Sequence, residues 1–217
     1  MRVVVVASGG LAASDAAWLD GADLVVAADG GARSLDRLGR RPALLVGDLD
    51  SVDAPLVARL EASGTRVERH PADKEASDTE LAVEAALREG ATAVVVLGAI
   101  GGERLDHELA NLLLLADPAL AGVDLRVVRA GTVVRAVHAG RELVLGGAAG
   151  DLVTLLPVGG DVVGITTAGL RWALDGATLR LGRSRGLSNE VTRPPASVRI
   201  GEGTLLVVEI ASRGEDS

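Results

Sequence analysis

The chain has 217 residues and a formal net charge of −8 at pH 7, and 48% of its residues are apolar. The acidic balance argues against nucleic-acid binding, which requires a surplus of Lys and Arg to contact phosphates, and the absence of cysteine excludes disulfides and thiolate metal sites. No apolar run approaches the roughly 20 residues that span a bilayer, and the N-terminal MRVVVVASGG is too strand-like for a signal peptide, so we expect a cytoplasmic protein without a membrane segment.

The first half of the chain alternates between strands and helices. The predicted strands are RVVVVAS, DLVVAADGG, PALLVGDLDS, TRVERH and TAVVVLGA. The predicted helices are SDAAWLDGA with Ser14 as N-cap, ARSLDRLG ending at Gly39, DAPLVARLEASG with Asp53 as N-cap, SDTELAVEAALREG with a capping box at Ser77 and Glu80, and LDHELANLLLLAD. This alternation indicates βαβ units and a mostly parallel sheet with helices on both faces.

After about Gly122 the pattern changes to short β-like runs separated by glycine-rich turns. Their spacing of roughly 8–12 residues is typical of an all-β unit, and GEG in the last run is a hairpin-turn signal. We therefore predict an α/β domain over residues 1–122 and a smaller all-β, sandwich-like domain over residues 123–217. The C-terminal SRGEDS is expected to fray.

Polar residues follow four of the predicted strands, at the sheet edge where open α/β sheets bind ligands. They are Asp29, then Asp48 and Asp50, then Lys74 and Asp78, then Arg104, Asp106, His107 and Asn111. Most of them also have a structural interpretation as turn, cap or surface residues. The Asp48–Asp50 pair is harder to explain in that way. Residues i and i+2 of an extended segment share a face about 7 Å apart, where carboxylates repel unless a cation or water separates them.

Carboxylates at this edge suit Mg²⁺, which proteins bind through one or two carboxylates together with substrate phosphates. Lys74 and Arg104 are suited to hold phosphate oxygens. The chain has no GxxxxGK[ST] loop and no GxGxxG after its first strand, and its three histidines are too scattered for a zinc site. These residue types predict phosphoryl transfer with Mg²⁺ as cofactor.

The second half contains one aromatic residue, Trp172, near the polar group Ser188, Asn189 and Glu190. Trp172 is interpreted either as a core residue or as an aromatic face for a planar or cationic ring. The polar group is interpreted either as a binding element or as a polar loop.

Six motifs over residues 29–191 resemble the thiamine pyrophosphokinase family: DGGARSL, GDLDS, DKEASDTELA, GGERLDHELANL, GLRWALDGATL and GLSNEV. The resemblance implies transfer of a diphosphoryl group from ATP to the thiamine hydroxyl, which gives thiamine diphosphate and AMP. It also implies a homodimer, with active sites between the α/β domain of one subunit and the β domain of the other.

The resemblance also implies roles for residues of this chain. Asp48, Asp50 and Asp78 correspond to the magnesium ligands, Lys74 and Arg104 to phosphate contacts, and Asp106 to an acid near the reacting hydroxyl, which makes it our candidate general base. Trp172, Ser188 and Asn189 correspond to the thiamine side, and Asp29, His107 and Asn111 are further candidates for substrate binding. Glu103 departs from the family pattern, in which Gly-Gly-Arg commonly precedes the Asp-His pair.

Other functions remain open at this point. A pyrophosphokinase that acts on another alcohol, such as a hydroxymethyl pterin, would share the acids of the first domain but not Trp172 and the Ser-Asn-Glu group. A non-catalytic nucleotide- or thiamine-binding regulator would gain little from carboxylates placed near phosphates. A purely structural protein leaves the four polar clusters unexplained.

Overall fold

The computed structural model describes residues 1–212, so the expected fraying of the tail concerns residues that, apart from Ser212, lie outside the described part. The chain forms two compact units, the first made of Met1–Leu114 with Gly122–Ala130 and the second of Leu115–Ala121 with the residues from Gly131 onward. The sequence placed a boundary after residue 122. The structure keeps residues 122–130 with the first unit, because Asp124–Arg129 pairs in parallel with Ala93–Leu97.

The first unit contains a parallel sheet. Its strands are β1 (Arg2–Val6), β2 (Leu24–Ala28), β3 (Leu44–Gly47), β4 (Arg66–Arg69), β5 (Ala93–Leu97) and β6 (Asp124–Arg129), in the spatial order β4-β3-β2-β1-β5-β6. Every pairing among them is parallel. The helices are α1 (Gly31–Arg37), α2 (Ala54–Ala62), α3 (Asp78–Arg88) and α4 (Leu105–Leu113). Valines and leucines of β1, β3 and β5 are almost completely buried, which confirms the predicted helix-covered sheet.

Two predicted N-caps form, although the described residues show only the Ser77 half of the predicted capping box at α3. Asp53 accepts a hydrogen bond from the Leu56 N–H at 3.3 Å, and Ser77 accepts one from the Glu80 N–H at 3.2 Å. These caps satisfy amide groups at the starts of α2 and α3 that have no partner within the helix. Ser77 thereby fixes the start of α3 next to Asp78, whose side chain belongs to the site described below.

The prediction of a helix capped by Ser14 is wrong. Ala13–Leu19 is a 3₁₀ helix and its N-cap is Ala12. Asp15 explains the difference, because its buried carboxylate accepts hydrogen bonds from the N–H groups of Ala12 and Ala130, both at 2.8 Å. Asp15 therefore ties this segment to the end of β6, a long-range contact that local sequence cannot reveal.

Apart from the short 3₁₀ helix Pro118–Leu120, the regular elements of the second unit are strands, which agrees with the predicted all-β region. Its strands are β7 (Thr132–His138), β8 (Glu142–Val144), β9 (Leu152–Ala168), β10 (Ala177–Leu179), β11 (Asn189–Glu190), β12 (Ser197–Arg199) and β13 (Glu202–Ile210). The pairings are antiparallel, and β10, β11, β12 and β13 all pair with the long β9. The GEG hairpin prediction is wrong, because β12 and β13 pair with different parts of β9 instead of with each other. Leu155, Ile165, Ile200 and Leu205 are among the residues that fill the core.

No helix among the described residues is long and apolar enough to cross a membrane.

Candidate active site

A cleft of about 490 Å³ opens at the carboxyl ends of the parallel strands in the first unit. Its walls come from the segments that follow β1, β2, β3 and β5, together with the segment before α3 and the first turns of α4. The predicted site residues that line it are Asp29, Asp48, Asp50, Lys74, Asp78, Arg104, His107 and Asn111. Asp106 is not among the lining residues. The cleft also contains acids that the sequence analysis did not select, Glu103 and Glu108.

Three carboxylates meet in this cleft. Asp29, Asp48 and Asp78 each contribute an oxygen, and these oxygens lie within 4.8 Å of one another. Gly47, the last residue of β3, makes the approach possible, since a Cβ at this position would lie 2.9 Å from Oδ1 of Asp78 and 3.1 Å from the Cβ of Asp29. A side chain at residue 47 would therefore push the carboxylates apart.

The set differs from the predicted one, because Asp29 takes the place expected for Asp50. The prediction assumed an extended segment from Asp48 to Asp50. β3 ends at Gly47 instead, and Leu49 has a φ of +64°, so the two aspartates do not share a strand face. Asp50 lines the cleft but is exposed, and its carboxylate accepts a hydrogen bond from the Ser51 hydroxyl at 2.9 Å.

Lys74 bridges two of the three carboxylates. Its Nζ lies 3.0 Å from Oδ2 of Asp48 and 2.7 Å from Oδ1 of Asp78, and its side chain is 13% exposed. The hydrogen bond from Lys74 holds the pKa of Asp48 below its ordinary value. Burial acts to lower the pKa of Lys74, but the hydrogen bonds to Asp78 and Asp48 outweigh it and the pKa is raised. Lys74 is the only lysine in the chain, and it is a fixed positive charge at neutral pH.

Of the three carboxylates that meet, Asp29 is the one that forms no ion pair with a basic side chain of the described residues. It is 3% exposed, and its Oδ1 is a buried side-chain oxygen with no hydrogen-bond partner among the described residues. Burial raises the pKa of Asp29, the negative charges of Asp78 and Asp50 add to the increase, and the neighbouring polar groups of Ser51 and Gly30 oppose it. A buried carboxylate oxygen without a donor is costly unless a proton or cation satisfies it. Three converging carboxylates with one such oxygen fit a hard divalent cation.

Arg104 and Asp106 form an exposed bidentate ion pair at the start of α4. Nε and Nη2 of Arg104 lie 3.0 and 2.6 Å from the two carboxylate oxygens of Asp106. The guanidinium lowers the pKa of Asp106 to about 2. A carboxylate with so low a pKa is a weak proton acceptor at neutral pH, which speaks against Asp106 as general base while the pair is intact.

Two side chains of α4 bind the backbone that follows β5. Asn111 donates a hydrogen bond to the Ala99 carbonyl at 2.8 Å, and Oε1 of Glu108 accepts hydrogen bonds from the N–H groups of Gly101 and Gly102. The predicted substrate contact Asn111 therefore has its amide engaged with the protein. The sequence did not point to Glu108, because its hydrogen-bond partners are backbone N–H groups, and the residue types do not show which of these groups will lie near it.

In the second unit, Trp172 is 57% exposed, so its interpretation as a core residue is wrong. The Arg171 guanidinium lies 5.2 Å from the Trp172 ring centroid. Asn189 is buried and holds the backbone of Trp172 on both sides, accepting from its N–H at 3.1 Å and donating to its carbonyl at 2.8 Å. Ser188 is exposed, and its N–H donates to the Thr154 hydroxyl at 3.0 Å. Asn189 thus positions the aromatic ring that it neighbours.

Comparison with known families agrees with this geometry. The model of the thiamin pyrophosphokinase catalytic domain matches residues 16–127, and the model of the thiamin pyrophosphokinase vitamin B1 binding domain matches residues 142–205. The chain belongs to the thiamin pyrophosphokinase family. The catalytic-domain match contains the cleft-lining residues from Asp29 to Asn111, and the vitamin B1 binding match contains Trp172, Ser188 and Asn189.

Individual relatives agree with the family. Thiamine pyrophosphokinase of Bacillus subtilis (strain 168) is 23% identical over 191 residues, which cover 88% of this chain and 89% of the relative. Thiamine pyrophosphokinase 1 of Oryza sativa subsp. japonica is 28% identical over 225 residues, covering 89% and 81%. The crystal structure of the thiamin pyrophosphokinase from Geobacillus thermodenitrificans is 27% identical, has a TM-score of 0.81 and covers 99% of each chain.

Membership of the thiamin pyrophosphokinase family makes the protein an enzyme, a diphosphotransferase with thiamine pyrophosphokinase activity. The alternatives of a pterin pyrophosphokinase and of a non-catalytic regulator are not favoured by these comparisons.

Proposed function

We propose that the cleft of the first unit binds ATP with Mg²⁺ and transfers the diphosphoryl group to the hydroxyl of thiamine, releasing AMP. The observation that carries this proposal is the group of Asp29, Asp48 and Asp78, which meets beside Lys74 at the carboxyl edge of the sheet. Phosphoryl chemistry is catalysed mainly by positioning and by neutralisation of phosphate charge, and these residue types serve both purposes.

A divalent cation would be held by Asp29, Asp48 and Asp78, and we retain Asp50 as a proposed ligand from the rim. When bound, Mg²⁺ would neutralise negative charge on the phosphate oxygens. The cleft needs such a cation, because its acids outnumber Lys74 and Arg104, the basic side chains that line it. Without the cation, the negatively charged cleft would repel a negatively charged nucleotide.

Lys74 and Arg104 are the proposed phosphate contacts. Each already has a carboxylate partner, so each must exchange that partner for a phosphate oxygen. When Arg104 turns to a phosphate, Asp106 loses the cation that lowers its pKa. We propose that Asp106 becomes a usable proton acceptor only in that state, which links deprotonation of the thiamine hydroxyl to nucleotide binding.

Trp172 is the proposed support for the thiamine ring system. An exposed aromatic face attracts a cationic ring, and the Arg171 guanidinium over the indole already shows that a cation can lie there. Asn189 would act by holding the backbone of Trp172, and Ser188 and His107 remain proposed substrate contacts. In this scheme the first unit is the catalytic domain and the second binds thiamine and contributes to dimerisation.

We also propose a homodimer whose active sites combine the first unit of one subunit with the second unit of its partner. The exposed leucines of α4 support it: Leu105, Leu109 and Leu113 are 68%, 52% and 54% exposed and recur every fourth residue. Such a row forms one apolar helix face. A second copy of this chain is the partner that we propose to cover it.

Incubation of the protein with ATP, Mg²⁺ and thiamine tests the reaction. We expect AMP and thiamine diphosphate in equal amounts, and ADP as the product would contradict diphosphoryl transfer. Asp78→Asn should lose activity, whereas Glu84→Gln removes an exposed acid of the same helix outside the cleft and serves as the matched control. Replacing thiamine by a hydroxymethyl pterin tests the alternative substrate.

A further inference from the structure

The segment that follows β5 forms one wall of the cleft, and side chains of α4 that also line the cleft hold this segment. Ala99 and Gly102 line the cleft. Asn111 donates to the Ala99 carbonyl at 2.8 Å, while Oε1 of Glu108 accepts from the N–H groups of Gly101 and Gly102 at 2.7 and 2.8 Å. Glu108 and Asn111 lie three residues apart, so they project from the same face of α4. The wall is therefore bound through both its acceptor and its donor groups.

We propose that Glu108 is a positioning residue, which fixes the wall segment Ala99–Gly102 and thereby sets the position of Arg104. Arg104 follows Gly102 by two residues and is the N-cap of α4. Only one residue, Glu103, lies between Gly102, which Glu108 binds, and Arg104. Nothing in the sequence motifs assigns this role to Glu108.

The backbone at this point favours an anionic partner. Two successive N–H groups that point at one atom form a concave nest, which favours negative charge. Gly101 has a φ of +91°, and a Cβ there would overlap the guanidinium of Arg129, at 1.0 Å from Nη1. The guanidinium end of Arg129 could move, but the positive φ alone favours glycine at residue 101, because side chains strain this backbone conformation. A carboxylate is well suited to hold it, since hydrogen bonds to an ionised acceptor are roughly twice as strong as neutral ones.

The same nest also suggests a phosphate subsite that Glu108 blocks in the absence of ligand. Two observations favour the positioning role. Asn111 binds the same segment independently, which a site designed to open would not need. Displacement of Glu108 would also leave a free carboxylate in a cleft that already contains Asp29, Asp48, Asp50 and Asp78, and like charges in one site are unfavourable.

Hydrogen–deuterium exchange of the peptide over residues 98–104 tests the proposal without any substrate. In Glu108→Ala we expect the amides of Gly101 and Gly102 to exchange at least roughly tenfold faster than in the wild type, because hydrogen bonds to a charged group are lost. Glu108→Gln should stay close to the wild type, since its amide oxygen accepts the same hydrogen bonds. Glu103→Gln is the matched control, as it removes one negative charge from the same cleft without touching the nest.

The kinetic consequence rests on the proposed function, whereas the exchange measurement does not. Glu108→Ala should raise the KM for ATP several-fold and the KM for thiamine much less. In Glu108→Gln the KM for ATP should stay close to the wild-type value. Should Glu108→Ala fail to fold, Glu108→Asp keeps the charge but shortens the side chain and should show the same faster exchange.

Three results would overturn the proposal: unchanged protection in Glu108→Ala, an unchanged KM for ATP despite lost protection, or tighter binding of inorganic pyrophosphate by Glu108→Ala than by the wild type. The last result would identify the nest as a blocked anion site. If the wild type produces no AMP, the proposed function fails, but the exchange result still decides whether Glu108 holds the wall.

Discussion

The ammonium nitrogen of Lys74 lies 2.7 Å from Oδ1 of Asp78, in a chain that contains no other lysine. Lys74 also contacts Asp48, so it occupies the space between two of the three carboxylates proposed to bind Mg²⁺. An ammonium group is a compact point charge, which suits this position better than a planar guanidinium. We expect a divalent cation to displace it.

The displacement can be followed at a single residue. Reductive methylation with ¹³C-formaldehyde labels Lys74 as the sole side-chain amine, in addition to the N-terminus. Addition of Mg²⁺ or Mn²⁺ without nucleotide should shift or broaden the Lys74 methyl signal and leave the N-terminal signal unchanged. Asp48→Asn is the control, because it removes one proposed ligand. If the cation changed the Lys74 and N-terminal methyl signals equally, displacement of Lys74 would be contradicted.

Lys74→Met should destabilise the metal-free protein by roughly 1–3 kcal/mol at neutral pH, because two partly buried carboxylates lose their charged donor. The pKa of Asp48 is lowered in the folded protein, so this contribution is present above its ordinary pKa and is lost as pH falls through the lowered value. Urea unfolding should therefore show a difference between the two proteins at pH 7 that shrinks below about pH 4. A difference that is independent of pH would show that lost packing, not charge, is responsible.

Asp29→Asn should stabilise the metal-free protein by roughly 1–3 kcal/mol at neutral pH, because it replaces a buried charge that has an unsatisfied oxygen. Burial raises the pKa of Asp29, so its unfavourable contribution grows as pH rises from the ordinary value through the raised one. Melting curves in EDTA and in excess Mn²⁺ provide the measurement. The wild type should gain more from Mn²⁺ than Asp29→Asn does. A lower Tm of the variant in EDTA would contradict this interpretation.

Trp172→Ala should raise the KM for thiamine by roughly tenfold or more, the size expected for loss of a desolvated cation–π contact, and should change the KM for ATP little. A Trp18→Phe variant leaves Trp172 as the only tryptophan, so quenching of its fluorescence by thiamine reports contact directly. Leu187→Ala, an exposed apolar residue of the same unit, is the control. Equal increases in both KM values would argue against an aromatic thiamine contact.

Leu109→Glu should shift the protein toward a monomer, because it places a charge in the middle of the exposed leucine row of α4. Light scattering after size-exclusion chromatography measures the change. Glu80→Lys on α3 is a control for an altered charge on a helix of the first unit. If the wild type is monomeric at micromolar concentration, the proposed active site between two subunits is contradicted.

The buried pair of Arg135 and Glu209 provides a test of stability in the second unit. Glu209 accepts hydrogen bonds from Arg135 and from the Gly146 N–H at 2.7 Å, and both side chains are almost completely buried. Glu209→Gln should cost roughly 3–5 kcal/mol of unfolding free energy, because it leaves the arginine uncompensated. The double variant Arg135→Met with Glu209→Leu should recover much of it. Urea unfolding that finds the single variant as stable as the wild type would disprove the coupling.

The sequence by itself determined the class of each half, the caps of α2 and α3, and the strand ends at which the polar residues lie. Hydrophobic periodicity and capping are local properties, so they can be read without knowledge of the fold. The motif order also identified the family before any comparison of structures. The same local reasoning failed for Ser14, where a distant contact of Asp15 decides the geometry.

Only the tertiary structure decided which carboxylates meet. Asp29 follows β2, Asp48 follows β3 and Asp78 begins α3 after β4. The neighbouring order β4-β3-β2, together with the missing side chain of Gly47, brings them together. Asp50 was expected to share a strand face with Asp48, but β3 ends at Gly47 and Leu49 has a left-handed backbone, and Asp50 is an exposed residue of the cleft outside the group of three. The partner of Glu108 is likewise invisible in sequence, because two backbone N–H groups form it only after the chain has folded. Residue types determine which chemistry is available, and the folded backbone determines which of those groups meet.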